Sequence, residues 1–95
     1  MPAYVLGEIE VTDAAGYEDY RKQVMAVVTK YGGKFIVRGG RVEPLEGGWV
    51  PKRIVALEFP SMEQAQKWYR SPEYAPLIEL RKKASRGKLI LVEGA

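Results

Sequence analysis

The chain has 95 residues, a formal net charge of +3, and neither cysteine nor histidine. The missing cysteines exclude disulfides, thiolate nucleophiles and Cys-ligated metal sites, and the missing histidines remove the usual general base near pH 7 and the usual haem ligand. Any chemistry must therefore come from Glu, Asp, Lys, Arg, Tyr or Ser side chains. A chain of this length is expected to form one domain over residues 1–95.

The first part of the chain predicts a strand, a helix and a second strand. Ala3–Val11 alternates in the way a strand does, and Asp13 is placed to cap the helix that follows. Apolar residues in that helix recur at intervals of three and four up to Gly32-Gly33, a pair typical of a helix C-terminus. Lys34–Arg38 is predicted to be the second strand.

Residues 39–52 predict an irregular arm that holds a short strand or hairpin. Ile54–Phe59 then forms the third strand, with β-branched and apolar residues. Ser61 and Ser71 each have the form of a helix N-cap, so two helices are expected in succession. Lys88–Glu93 is predicted to be the last strand.

The predicted order is β-α-β-β-α-β, which indicates an α+β, ferredoxin-like fold: an antiparallel sheet with its helices on one face. In the last strand, Leu89 and Leu91 share one face while Ile90 and Val92 share the other. Both faces of the sheet therefore need to be covered, and the helices cover only one. We expect a second copy of the chain to cover the other, giving a homodimer formed through the sheet face.

Several short motifs resemble those of a known family. They are V-T-D at 11–13, the pair Tyr17 and Tyr20, R-G-G at 38–40, L-E-G at 45–47, E-F-P-S at 58–61, S-P-E-Y at 71–74 and V-E-G at 92–94. Over nearly its whole length the chain resembles the family called domain of unknown function 1330, within the dimeric α/β-barrel superfamily. This resemblance implies two ferredoxin-like halves packed sheet to sheet, and it brings no established activity.

Relatives elsewhere in that superfamily resemble cofactor-free monooxygenases, isomerases, polyketide cyclases and haem-degrading enzymes. The resemblance implies a pocket between the sheet and the helices above it. Since fold alone does not transfer an activity, none of these activities follows for this chain. The missing histidine argues against haem.

Glu58 and Glu8 are the candidate catalytic residues. By strand alternation both should point away from the helices, and the first and third strands are neighbours in a ferredoxin-like sheet. The two carboxylates are therefore expected to approach each other or Arg38, whose parity with Ile36 places it on the same face. Neighbouring half-buried carboxylates can exchange protons with a substrate. The alternative is a Glu–Arg network that only holds two sheets together.

Tyr17, Trp68 and Tyr74 are candidate ligand-binding residues, because aromatic side chains on the helices can wall an apolar pocket. Arg38 and Arg81 are candidate contacts for an anion, since a guanidinium binds a carboxylate through two parallel hydrogen bonds. The alternatives are an ordinary aromatic core and salt bridges within a dimer.

The sequence thus favours a cofactor-independent enzyme of the proton-transfer, isomerase or monooxygenase type, acting on a small organic acid or aromatic metabolite. We expect no cofactor and no metal ion. Because no segment has the character of a signal peptide or membrane span, we also expect no membrane partner and a cytoplasmic location. The first alternative is a non-catalytic ligand-binding or stress-related dimer.

The second alternative is an RNA-binding module, because RNA-recognition domains share the predicted element order. Those domains stack bases on exposed aromatic residues of the sheet. The third strand here offers only Phe59, and strand alternation turns it towards the helices. The basic residues near the end of the chain are predicted to form a solvated helix end rather than a nucleic-acid patch.

Overall fold

The sheet has four antiparallel strands, and the computed structural model describes all 95 residues. The strands are β1 (Ala3–Val11), β2 (Lys34–Arg38), β3 (Ile54–Phe59) and β4 (Ser85–Glu93). Their order across the sheet is β2-β3-β1-β4, with β1 paired to both β3 and β4. This is the ferredoxin-like order predicted from the sequence, and the first and third strands are neighbours.

The three helices are α1 (Ala14–Lys30), α2 (Met62–Tyr69) and α3 (Ala75–Ala84). Asp13 caps α1 by accepting a hydrogen bond from the backbone N–H of Gly16, and Ser61 caps α2 in the same way. The chain leaves α1 through Gly32, whose φ of 83° suits a residue without a Cβ atom. These predicted helix ends are confirmed. None of the helices has the length and apolar composition that crossing a bilayer requires.

Ser71 acts one turn earlier than predicted. Its hydroxyl accepts a hydrogen bond from the backbone N–H of Tyr74 at 3.1 Å and donates one to the carbonyl oxygen of Trp68 at 2.8 Å. The hydroxyl therefore holds the turn that joins α2 to α3, and α3 itself begins at Ala75. This turn places Tyr74 against the side chains of α2.

Two predictions of local structure were wrong. Residues 39–52 contain no strand, and Pro44 and Pro51 in this arm lack the N–H that a ladder needs. The last strand begins at Ser85 instead of Lys88, directly after α3. Ser85 already pairs with Val11, so the ladder of β4 starts where the helix stops.

The helices cover one face of the sheet and form the core with it. Strand residues Val5, Ile9, Val55, Leu57 and Phe59 pack in one cluster with the buried side chains of the helices. At the centre of this cluster Trp68 is only 1% exposed. Its ring stacks on Tyr74 with 4.2 Å between centroids and lies 5.3 Å from the ring of Phe59. Phe59 is fully buried here, so it offers no surface for base stacking.

The other face of the sheet carries exposed apolar side chains beside a few charged ones, and no helix covers it in the single chain; we call it the open face. Leu6, Ile90 and Val92 lie on it and are exposed, Ile90 to 62%. Trp49 from the arm lines a pocket on this face together with Leu6, Ile54 and Ile90. The strands are therefore apolar on both sides, as the sequence predicted.

Trp68→Ala should lower the free energy of unfolding by about 3–5 kcal/mol, because it removes a fully buried aromatic side chain and leaves a cavity. Chemical denaturation would measure the loss. Tyr69→Ala is the control, since the neighbouring Tyr69 is 42% exposed and should cost much less. A loss below about 1 kcal/mol for Trp68→Ala would contradict the central place of this side chain in the core.

Candidate functional site

A small cavity lies between the sheet and the helices. Its volume is about 30 Å³, which is room for about two water molecules. Of the 15 residues that line it, 11 are hydrophobic, and the other four are all arginines: Arg21, Arg38, Arg53 and Arg81. The lining contains no carboxylate. The cavity is therefore apolar in its walls and positive in its charge.

The five predicted ligand-binding residues come from five different parts of the chain. Tyr17 belongs to α1, Arg38 to β2, Trp68 to α2 and Arg81 to α3, while Tyr74 ends the turn before α3. All five line this one cavity. The ferredoxin-like order brings them together because the helices that carry three of them, and the turn that carries Tyr74, pack on the same face of the sheet. Ligand binding by these residues stays a prediction.

Tyr20 also lines the cavity and was not among the predicted ligand-binding residues. Its hydroxyl oxygen lies 2.7 Å from that of Tyr74, so the two phenols are hydrogen-bonded. Burial raises the pKa of Tyr20, the interaction with Tyr74 raises it further, and the positive charge of Arg81 acts in the opposite direction. The pKa of Tyr74 is also raised, again mainly by burial. Both phenols thus stay protonated and can donate hydrogen bonds.

Arg81 is the most deeply buried of the four arginines, with 8% of its surface exposed. It shares the buried face of α3 with Leu77 and Ala84, at the spacing expected of residues on one side of a helix. Its side chain forms no salt bridge. An arginine in this position normally has a carboxylate partner.

The other three arginines form the rim of the cavity. Arg53 lies over the ring of Tyr17 at 5.6 Å, and its Nε atom is buried without a hydrogen-bond partner. The exposed Arg38 lies over the ring of Phe35 at 4.9 Å. Only Arg21 has an acidic partner, Glu18 on the same helix, at 3.2 Å. Sequence reasoning did not include Arg21, although its position four residues after Tyr17 places it on the same side of α1.

The face predicted for Arg38 was wrong. Strict alternation from Ile36 would turn Arg38 towards the open face, but β2 contains a bulge between Phe35 and Val37. Because of this extra residue, Arg38 pairs with Val55, whose side chain faces the helices. A bulge re-aims every side chain after it. The sequence carries no clear signal for this one.

The proximity predicted for Glu8 and Glu58 was also wrong. Both lie on the open face, but Glu58 pairs with Tyr4 and Glu8 with Ile54. The two positions are four residues apart along β1, which corresponds to about 13 Å. Each carboxylate has a different partner: Glu58 lies 3.4 Å from Lys34 Nζ, and Glu8 accepts a 2.6 Å hydrogen bond from the Trp49 indole. Neither glutamate lines the cavity.

A larger groove lies beside the cavity, between β4 and α2. Its volume is about 300 Å³, and it shares Val5, Trp68 and Leu89 with the cavity. These three side chains therefore stand between the two spaces. A ligand too large for the cavity has room for its apolar part in the groove.

Proteins of known structure share this fold. A protein of unknown function from Rhodopseudomonas palustris matches with a TM-score of 0.78 at 20% identity, over 99% of this chain and 82% of that chain. SnoaB, a cofactor-independent oxygenase from Streptomyces nogalater, gives 0.69 at 12% identity over 99% and 93%. An EthD family protein from Bacillus halodurans gives 0.57 at 13% identity over 100% of both. At these identities the similarity establishes the fold alone.

The sequence family described as Domain of unknown function (DUF1330) matches residues 2–95. No protein of curated function matches the chain. The family match confirms the resemblance seen in the sequence motifs.

Gly39→Ala should destabilise the protein by about 1–2 kcal/mol, the cost of a left-handed conformation for a residue with a Cβ atom. Gly39 has a φ of 74°, and a Cβ atom there would collide with the guanidinium of Arg53. The substitution should therefore also displace Arg53 from the rim. Chemical denaturation measures the first effect, and a crystal structure shows the second. Gly40→Ala is the control, because nothing lies within 4 Å of that position. Equal effects of the two substitutions would contradict this role of Gly39.

Proposed function

The chain belongs to the DUF1330 family, and we propose that it is a cofactor-independent enzyme that acts on a small organic acid or aromatic metabolite in the cavity. The reaction is a proton transfer, an isomerisation or a monooxygenation. The proposal places the protein in the cytoplasm as a homodimer. The observation that carries it is the hydrogen-bonded pair of buried tyrosines, Tyr20 and Tyr74, in a small aromatic cavity.

One phenol of this pair donates its proton to the other, so the second hydroxyl keeps a proton that it can donate to a ligand. A fixed donor in a cavity with little water stabilises a negatively charged oxygen far better than water does. An enolate or phenolate carries such an oxygen, and it is formed both in proton transfer next to a carbonyl group and in the reaction of an electron-rich substrate with O₂. The SnoaB fold hosts a cofactor-independent oxygenase, which supports the second possibility.

The cavity lining contains no residue suited to act as a general base. The four arginines supply positive charge instead, and positive charge favours the ionised form of a bound substrate. Under this proposal the substrate loses its proton to water as its anion forms. A catalytic role for Glu58 or Glu8 would need a different reaction site, on the open face of the sheet.

The alternative is a non-catalytic ligand-binding dimer that uses the same cavity. The missing base favours this alternative, because binding needs only the aromatic walls and the hydrogen-bond donors. Turnover of a bound ligand separates the two functions.

The homodimer is proposed from the open face. An apolar sheet face with side chains such as Ile90, exposed to 62%, is unfavourable in water. A second sheet packed against it by a two-fold axis would bury Leu6, Ile90 and Val92 of both copies. The helices have no further surface with which to cover this face, since they already pack on the opposite one.

Sedimentation at micromolar concentration should give twice the chain mass of 10.7 kDa. Ile90→Lys should give a monomer, because it places one charge from each copy in the apolar surface that the dimer would bury. Leu45→Lys is the control: Leu45 is 89% exposed and lies on the arm, off the sheet. A wild-type monomer would contradict the proposed dimer.

Tyr74→Phe should lower the turnover rate about 100-fold, the usual cost of removing one donor to a developing oxyanion, while keeping the ring and its stacking on Trp68. Ligands chosen by thermal shift would be followed in D₂O by NMR, for exchange of carbon-bound hydrogen, and in an oxygen electrode, for O₂ uptake. Tyr31→Phe is the control, because the Tyr31 hydroxyl binds Glu73 and this residue lines neither the cavity nor the groove.

A ligand that raises Tm but shows neither exchange nor O₂ uptake would support the binding function against the enzyme. Loss of activity in Glu58→Gln, with Tyr74→Phe unaffected, would place the reaction on the open face instead of the cavity.

A further inference from the structure

The charge of the cavity is not balanced. Four guanidinium groups line it and no carboxylate does. Arg21 has a partner in Glu18, which leaves Arg38, Arg53 and Arg81 without a salt bridge. Several positive charges around one small space repel one another, so the free protein holds an unfavourable arrangement here.

The arginines at the rim are stabilised in other ways. Arg53 and Arg38 lie over aromatic rings at 5.6 and 4.9 Å and are partly in contact with water. Arg81 has neither advantage, since it is 8% exposed and lies over no aromatic ring at such a distance. A guanidinium held largely away from water with no salt-bridge partner is unfavourable. The chain itself supplies no anion for it.

We propose that the cavity binds the carboxylate of a small organic acid, with Arg81 as its main partner. This inference rests on the proposed function, because the same cavity holds the substrate, and it specifies the charged group by which that substrate is recognised. The carboxylate accepts hydrogen bonds from the Arg81 guanidinium. The Tyr20–Tyr74 pair lines the same small cavity as Arg81, so its free phenolic proton is a further donor to the bound group.

The size and walls of the site favour a carboxylate on an apolar body over a free inorganic anion. The cavity of about 30 Å³ has room for a group as small as a carboxylate. Its remaining lining is hydrophobic, whereas inorganic phosphate or sulfate needs polar donors on all sides. Leu89 lines both the cavity and the groove of about 300 Å³ and is only partly buried, so a movement of this one side chain opens space for an aromatic or aliphatic body while Trp68 stays in place.

Calorimetry with matched pairs of ligands tests the inference. The pairs are monocarboxylates and their neutral carboxamides, with benzoate and benzamide as the first pair, and inorganic phosphate is a third arm. For the best-fitting pair we expect the carboxylate to bind at least tenfold more tightly than the carboxamide and more tightly than phosphate.

Equal binding of carboxylate and carboxamide would overturn the inference and leave the proposed cavity function standing. Tighter binding of phosphate would overturn it as well. If neither member of any pair binds at millimolar concentration, the proposed function of the cavity itself is overturned.

Variants of Arg81 distinguish a binding role from a structural one. Arg81→Met keeps most of the side-chain volume and removes the unpaired charge, so Tm of the ligand-free protein should stay the same or rise. The same substitution should reduce carboxylate affinity at least tenfold and leave carboxamide affinity unchanged. Lys82→Met is the control, because it removes one charge from the exposed side of the same helix.

If Arg81→Met lowers Tm strongly, Arg81 is structural and the inference is overturned. Arg81→Lys gives an independent measure, since it keeps the charge but lacks the planar fork. It should bind the carboxylate with an affinity between those of the wild type and Arg81→Met. Full loss of folding in both Arg81 variants would likewise show a structural role.

Discussion

The stacking of Trp68 on Tyr74 is the contact on which the rest of the structure depends. It joins α2 to the turn before α3, and through Phe59 it fixes both to the sheet. The same contact forms one side of the cavity, and Tyr74 holds Tyr20 of α1 through the hydrogen bond between their hydroxyls. Core and candidate site are therefore made of the same side chains, so the site is rigid on its aromatic side. Rigid placement of donors is what makes them effective towards a developing charge.

The charged side of the site has the opposite character. The long arginine side chains on β2, on α1 and just before β3 are partly solvated, and the buried Nε atoms of Arg21 and Arg53 lack partners. Buried polar groups are normally satisfied, and exceptions tend to occur at functional sites. The molecule thus combines a stable aromatic wall with a destabilised cationic one. Such a division is expected where stability is given up for binding.

Much of the fold could be predicted from the sequence because its signals are local. Strand alternation, the caps at Asp13 and Ser61 and the glycine pair after α1 each act over a few residues, and together they determine the element order. Arg81 was a candidate because a guanidinium suits a carboxylate, whereas its burial beside Leu77 and Ala84 was not predicted. The arm could not be assigned, since its prolines and glycines permit many conformations and nothing in the sequence shows which one is adopted.

The errors at the candidate site have a different cause. The distance between Glu8 and Glu58 depends on the register of β1 against β3, and alternation determines only the face on which a residue lies, not its position along the strand. The pairing of Tyr20 with Tyr74 joins residues 54 positions apart, and core spacing alone does not distinguish a packed ring from a hydrogen-bonded one. Tertiary geometry determined both.

The bulge in β2 also affects how the sheet ends. β2 lies at one edge of the sheet, so its outer backbone groups have no partner strand. A regular edge invites another strand to add to it, whereas a bulge breaks the even spacing of N–H and C=O groups and twists the edge away. The extra residue of the bulge, Ile36, turns Arg38 into the cavity and also discourages the addition of further strands at this edge. The open face therefore remains as the side through which copies of this chain can meet.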